Sequence, residues 1–465
     1  MLDIFRTDEE DHNKLKNSSY LDLSPLYGSS DDPKSDACVA HVRTFKDGML
    51  KPDTFSETRA YALPPGVAVL LLCFNRFHNY VASQLKEINE GNRFSPANKT
   101  EKAQQTVDED LFQTARLVTC GLYVNIILHD YVRTILNLQS TDSTWTLDPR
   151  SHCENTFDEH GVPSGIGNQV SVEFNLVYRW HSAISERDAK WVENMYKDIF
   201  QTEDIEPYLQ DGNLFYAKVV PWFAATKSKK PEEREHRDLK RNAQGMFNDE
   251  DMVNILADST RDVAGAFGPR NVPLVMRLID IMGIEQARKW NVCTLNEFRR
   301  FFNLEPHRTF ADITRNAEVA RSLETLYSHP DWVELFVGLV AEDAKQVLEP
   351  GSGLCPGYTV SRTILADAVA LTRGDRFYTV VCVLPSTVQC SNANSTFTGL
   401  YMCQPYELGL QPGEIRPRGR RRWCHLQSPH ESDATVLSRQ LRLRHVSFRP
   451  SKQDKSTSAK AWQGW

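Results

Sequence analysis

No uninterrupted apolar run in this sequence extends beyond Val67 to Phe74, far short of the roughly 20 residues a helix needs to cross a bilayer, and no membrane-spanning helix is expected. The N-terminus, Met1-Leu2-Asp3-Ile4-Phe5-Arg6, runs into acidic residues without the basic start and apolar centre of a secretory signal. None of the ten cysteines forms a CxxC pair, which removes the usual spacing of a zinc site and leaves no sign of a small-domain disulfide framework. The cysteines therefore read as mainly reduced, buried small residues, and the sequons at Asn17, Asn98 and Asn394 as chance matches. The location expected is cytoplasmic, with peripheral attachment at membranes or lipid droplets as the alternative. Alternating period-two runs are scarce, which argues against a chiefly β fold.

Hydrophobic residues make up 40% and charged residues 25%, the balance of an ordinary globular protein with material for a large core. Apolar residues at Val67, Leu70, Leu71, Phe74, Phe77, Val81 and Leu85 follow a 3.6-residue period and predict one long, buried helix after Pro64-Pro65-Gly66. Similar patterns predict helices over Asp110–Leu138, from Val170 to Arg179 and a little beyond, and over Asp188–Phe200, Glu250–Gly265, Pro273–Lys289, Leu295–Phe302 and Ser361–Leu371. The fold class is mainly α. The charge-dense Lys227–Arg241 reads as a solvated loop or helix face, because acids interrupt its bases. After Thr379 the amphipathic pattern lapses and the net charge is +7, against −14 before it. Two units are expected: a folded domain over 1–379 and a disordered basic tail over 380–465. The arginine run Arg416-Pro417-Arg418-Gly419-Arg420-Arg421-Arg422 comes without a nucleic-acid-binding module, so no nucleic-acid partner is expected.

The segment richest in chemistry is Glu173-Phe174-Asn175-Leu176-Val177-Tyr178-Arg179-Trp180-His181. On a continuous helix Tyr178 and His181 stand at i and i+3 and share a face. A neutral imidazole there can ligate haem iron, and a phenol near the porphyrin edge can be oxidised to a radical that takes hydrogen from a substrate carbon. The bland alternative is aromatic packing around a helical histidine.

Phe174-Asn175 with Tyr178-Arg179-Trp180-His181 resembles the cyclooxygenase segment that holds a catalytic tyrosine and the proximal haem histidine. Asp110-Leu111-Phe112-Gln113-Thr114-Ala115-Arg116, His129-Asp130-Tyr131-Val132 and Asn296-Glu297-Phe298-Arg299-Arg300-Phe301 extend the likeness in order along the chain. Asp22-Leu23-Ser24-Pro25-Leu26-Tyr27-Gly28, Phe74-Asn75-Arg76-Phe77-His78-Asn79-Tyr80 and Gly357-Tyr358-Thr359-Val360-Ser361-Arg362 most resemble the fungal linoleate diol synthases and psi-factor-producing oxygenases, members of the cyclooxygenase-like haem peroxidase superfamily. The resemblance implies a haem-peroxidase catalytic domain over 1–379 that adds molecular oxygen to C18 unsaturated fatty acids such as linoleate, an oxylipin-forming oxidoreductase started by a peroxide activator. It implies noncovalent haem b, Tyr178 as radical carrier and His181 as proximal ligand. It also implies a calcium loop built from Ser18, Tyr20, Asp22 and Ser24, with Asp3 completing the ligands. Homo-oligomerisation stays open.

Two departures qualify these expectations. The family has a histidine directly before the aspartate matched by Asp3, and this chain has Leu2 there. Without that general acid–base group, peroxide activation is expected to be impaired, with His78 a weak substitute and Arg59 only an approximate match to a distal arginine. The similarity also stops shortly after Arg376-Phe377-Tyr378-Thr379, so part of the peroxidase domain and a second, haem-thiolate domain are expected to be missing. A haem peroxidase that oxidises small reductants and a catalytically inactive haem-binding remnant remain as alternatives.

Overall fold

Pro65 opens the first long helix, its fixed φ suited to a position where no backbone donor is needed. The helix ends at Asn89, which takes a left-handed φ of 43°. The computed structural model describes residues 20–135, 170–345 and 356–375, together with 7, 8, 10–12, 14 and 18. All of these fall in one unit, Met1–Cys403. The longer helices are α1 Pro65–Ile88, α2 Glu101–Ile126, α3 Val172–Val177, α4 Glu186–Phe200, α5 Gly212–Ser228, α6 Asp249–Arg261, α7 Arg277–Lys289, α8 Leu295–Phe301, α9 Ala317–Tyr327, α10 Leu335–Ala341 and α11 Tyr358–Gly374. Among the described residues there is no strand, only isolated bridges, and the mainly α reading holds.

The α1–α2 pair forms the centre. Ala68, Val69, Leu71 and Leu72 of α1 join Leu26, Tyr27, Val42, Phe55, Tyr61, Phe112 and Phe247 in one buried cluster. Val67 and Leu70 belong to the predicted apolar stripe but are exposed, at 36% and 53%, so the buried face is rotated towards Ala68 and Leu72. Helix α2 runs on through a π-helical turn, Ile127–Tyr131, into Val132–Ile135. The stretch Glu101–Thr134 is long and apolar enough to cross a membrane by length and composition, which no uninterrupted apolar run reveals because Thr119 and Asn125 break it. Leu111, Phe112, Ala115, Thr119 and Val124 on α2 are buried in the fold, and a core helix meets the same criterion.

Several predicted segments differ in extent: the helix expected from Asp110 begins at Glu101, and that expected over Ser361–Leu371 spans Tyr358–Gly374. The one expected from Val170 past Arg179 is helical only over Val172–Val177. That expected over Glu250–Gly265 ends at Arg261, and Pro273–Lys289 begins with a 3-10 turn, Leu274–Met276, before α7. The charged segment Lys227–Arg241 is not simply a solvated face. Arg234, His236 and Leu239 are buried, and Arg241 donates to the carbonyl oxygens of Asp53, at 2.8 Å, and Gly245, at 2.6 Å. Residues 136–138 of the second predicted helix and the tail expected over 380–465 lie outside the described residues.

Candidate active site

Helix α3 starts where the Ser171 hydroxyl accepts the Phe174 backbone N–H at 3.1 Å. It stops at Val177, because Trp180 Nε1 donates to the Val177 carbonyl at 2.7 Å and occupies the acceptor that the N–H of residue 181 would use in the next α-helical turn. Tyr178 (φ −94°, ψ 17°) and Trp180 (φ −111°, ψ 47°) leave helical geometry, and His181 begins a separate 3-10 turn, His181–Ala183. The expectation that Tyr178 and His181 share one helical face is therefore corrected. They stand on two short pieces joined by a capped break.

Helix α7 holds that break from outside. Arg179 Nη2 donates to Gln286 Oε1 at 2.6 Å and to Asn175 Oδ1 at 3.1 Å. His181 Nδ1 lies 2.5 Å from Asp280 Oδ1, so the imidazole donates to the carboxylate and the proton sits on Nδ1. Among the described residues Nε2 has no hydrogen-bond partner, so the far nitrogen of the ring is the one open to ligate a metal. Gly265 closes the other side. Its N–H donates to the Ala183 carbonyl at 3.0 Å, and a Cβ there would lie 2.4 Å from the Ser182 carbonyl oxygen. A cleft of about 810 Å³ borders Ser182, Ile184, Asp262 and Gly265, but Tyr178, His181 and Asp280 do not line it.

Tyr178 is enclosed by aromatics. Phe174 meets it edge-on at 4.8 Å, Trp180 stacks on it at 5.4 Å, and Tyr131 from the π-helical turn stacks on Trp180 at 6.4 Å. Burial raises the Tyr178 phenol well above its ordinary pKa, with the interaction with Tyr131 opposing and the charge of Asp367 adding to the rise. The Tyr131 hydroxyl is close enough to interact with Tyr178 but has no well-aligned hydrogen-bond partner among the described residues. Burial also lifts the Asp367 carboxyl, on α11, to about 7. Tyr178, Trp180, Tyr131 and Asp367 all keep some accessible surface, although the two phenols and the carboxyl are deep within the protein.

The remaining candidates divide. Asp22 accepts from the Ser18 hydroxyl at 2.8 Å through Oδ2 and from the Ser24 N–H at 3.1 Å through Oδ1, and the Tyr20 N–H donates to Ser18 Oγ at 3.2 Å. Ser18, Tyr20, Asp22 and Ser24 thus form one loop; Asp3 and Leu2 lie outside the described residues. His78 is no free acid–base group. Nε2 donates to the Gly48 carbonyl at 2.9 Å and Nδ1 accepts from the Tyr27 hydroxyl at 2.9 Å, and burial lowers its pKa to about 4. Arg59 is paired with buried Glu57 at 2.8 Å. Asp280 and Asp367 were not foreseen; the one available signal was an acid set within the apolar run Ile364-Leu365-Ala366-Asp367-Ala368-Val369.

The profile of the animal haem peroxidases matches residues 3–387. Over 384 residues the chain is 52% identical to linoleate 10R-lipoxygenase of Aspergillus fumigatus, covering 81% of this chain and 33% of the relative. Over 380 residues it is 50% identical to linoleate diol synthase of Gaeumannomyces graminis, covering 81% and 32%. The chain spans about a third of the length of these curated relatives. Among solved structures, fatty acid alpha-dioxygenase of Oryza sativa superposes with a TM-score of 0.47 at 19% identity, covering 78% of this chain and 58% of that one.

Proposed function

The chain belongs to the animal haem peroxidase family, and from that premise we propose that it is a haem-dependent dioxygenase adding molecular oxygen to C18 unsaturated fatty acids such as linoleate, with Tyr178 as radical carrier and His181 as proximal ligand. The observation that carries the reading is the pair His181 and Tyr178 on either side of one break in the chain: an imidazole fixed through Nδ1 by Asp280, with Nε2 unengaged among the described residues, and a phenol packed among aromatic rings. The half-identical relatives whose names record action on linoleate support the substrate class.

The donor set fits haem. Asp280 sets the imidazole tautomer and orients the ring, the role of a carboxylate behind a metal-bound histidine. Haem, once activated by a peroxide, supplies the one-electron oxidant for the phenol. Burial keeps Tyr178 protonated until it is oxidised, so a neutral phenoxyl forms only when the phenolic proton leaves together with the electron. The phenoxyl takes a hydrogen atom from an allylic carbon of the fatty acid, molecular oxygen adds to the carbon radical, and the peroxyl radical recovers the hydrogen atom from Tyr178. The aromatic rings of Phe174 and Trp180 shield the radical from water. Calcium at the Ser18–Ser24 loop, with Asp3, is part of the proposal. It is supported by the convergence of Ser18 and Asp22, and metal analysis of the purified protein tests it.

The functional test is linoleate turnover under ¹⁸O₂. The expected product is a hydroperoxide carrying both atoms of one oxygen molecule. Absence of any oxygenated fatty acid, with peroxide-driven oxidation of a phenolic reductant intact, would replace the reading by a plain peroxidase.

A further inference from the structure

Helix α5 is apolar on both of its faces, yet it lies at the surface. Its inward side is built from Phe215, Val219 and Trp222, spaced i, i+4 and i+7. Phe215 is buried against Tyr196 and Phe200 at ring separations of 5.4 and 5.7 Å, Val219 joins the same cluster, and Trp222 packs on the cluster that α1 joins. The opposite side carries Leu214, Tyr216, Ala217, Val220, Pro221 and Ala224, all exposed, with Leu214, Tyr216 and Val220 at 46%, 52% and 57%. A helix apolar all round belongs in a core or in lipid, and a contiguous apolar patch at the surface marks an interaction site.

Charge decides which partner this face fits. From Gly212 to Lys230 the chain carries Lys218, Lys227, Lys229 and Lys230 and no acidic residue. All of these lysines are exposed, and Lys227 also meets Asp36. At 3.6 residues per turn Lys218 and Lys227 fall at opposite borders of the outward apolar face. The acids nearest in sequence are engaged elsewhere: Asp211 caps α5 through the N–H groups of Asn213 and Leu214, Glu232 pairs with Lys51, and Glu235 pairs with Lys240. A second copy of the chain fits badly, because a two-fold contact brings the same lysine borders together and lysine is depleted at protein interfaces. A lipid surface fits well. Aliphatic side chains enter the acyl boundary, a tyrosine settles at the headgroup level, and the lysines reach anionic headgroups. The helix has 17 residues, fewer than the roughly 20 that span a bilayer, and Phe215 ties its other side to the protein, so it lies in the plane of the surface.

We propose that α5 is a docking helix that seats the protein on a bilayer carrying anionic lipids, its outward face sunk about 5–10 Å into the boundary between headgroups and acyl chains. The inference is independent of the roles given to Tyr178 and His181. Together with them, it brings the catalyst to the phase in which a C18 fatty acid dissolves.

The test uses the full chain and sedimentation with vesicles of phosphatidylcholine, alone or mixed with phosphatidylserine. The protein should pellet with the mixed vesicles, and less with phosphatidylcholine alone. Leu214→Ser combined with Val220→Ser keeps every charge in the chain, so any attraction from basic residues elsewhere is unchanged. The double variant should partition about tenfold or more weakly, the loss from withholding two aliphatic side chains from lipid. Tyr216→Trp supplies a second measurement on an exposed position: vesicles with brominated acyl chains should quench the fluorescence gained over wild type. Undiminished vesicle binding by the double serine variant, or no quenching of the added fluorescence, overturns the proposal. A change of oligomeric state in the serine variant with vesicle binding intact also overturns it, and assigns the face to a second copy.

Discussion

Replacing Asp280 by alanine removes the partner that His181 Nδ1 has among the described residues and frees the ring both to rotate and to move its proton to the other nitrogen. The substitution deletes a 2.5 Å hydrogen bond between side chains that are 18% and 23% exposed, a charge-assisted bond only partly screened by solvent. The backbone should stay in place, because the Arg179 bonds to Gln286 and Asn175 and the Gly265 bond to Ala183 hold the segment on either side. The cost then falls on ligation rather than on folding. Loss of the group behind a metal-bound histidine typically weakens metal affinity about 10–100-fold, which corresponds to about 1.4–2.8 kcal/mol. Haem titrated into the apoprotein and followed by its Soret band should show that weakening for Asp280→Ala. Asp280→Asn, which restores a hydrogen bond without the charge, should lose less affinity but raise the ferric–ferrous potential. Wild-type haem affinity in Asp280→Ala, or a lowered melting temperature of the apoprotein as its main effect, would refute the assignment of Asp280 to the ligand.

Glu342 is buried and receives Arg299 Nη1 at 2.7 Å, the Thr359 hydroxyl at 2.5 Å and the Thr359 N–H at 2.8 Å. Glu342→Ala leaves that arginine charge uncompensated and unfastens the start of α11, so denaturant titration should show a loss of about 3–5 kcal/mol. His78 ionises near 4 in the fold and near 6.5 when unfolded, so the unfolded chain binds more protons between those values. Its contribution is complete above pH 6.5 and is lost as the pH falls towards 4, by roughly 3 kcal/mol in total; His78→Phe should flatten that part of the stability–pH curve. Gly265→Ala places a Cβ 2.4 Å from the Ser182 carbonyl and should disturb the haem spectrum, whereas Gly212→Ala, with open space at its Cβ, should leave it unchanged.

The helical class was legible because α1, α4 and α7 carry strong amphipathic periods, and Tyr178 and His181 were legible as a motif. Their geometry was not. Periodicity has no term for Trp180 taking the Val177 carbonyl, which ends α3 between the motif and its histidine. The π-helical turn that presents Tyr131 breaks the 3.6-residue rule from which helices are read. Helix α5 was not recognised, because Pro221 lies inside it and apolar residues such as Leu214, Tyr216 and Val220 point outward. Asp280 is separated from His181 by 99 positions and meets it only through tertiary packing.

The central claim is that the Tyr178 phenol, not the haem edge, carries oxidation to the fatty acid. The most direct measurement follows Tyr178→Phe and wild type side by side in two reactions, oxygen uptake on linoleate and peroxide-driven oxidation of a small phenolic reductant. Removing one hydroxyl should abolish the first and spare the second, since His181 and Asp280, the groups proposed to hold haem, are untouched. Linoleate oxygenation at the wild-type rate in Tyr178→Phe would contradict the account.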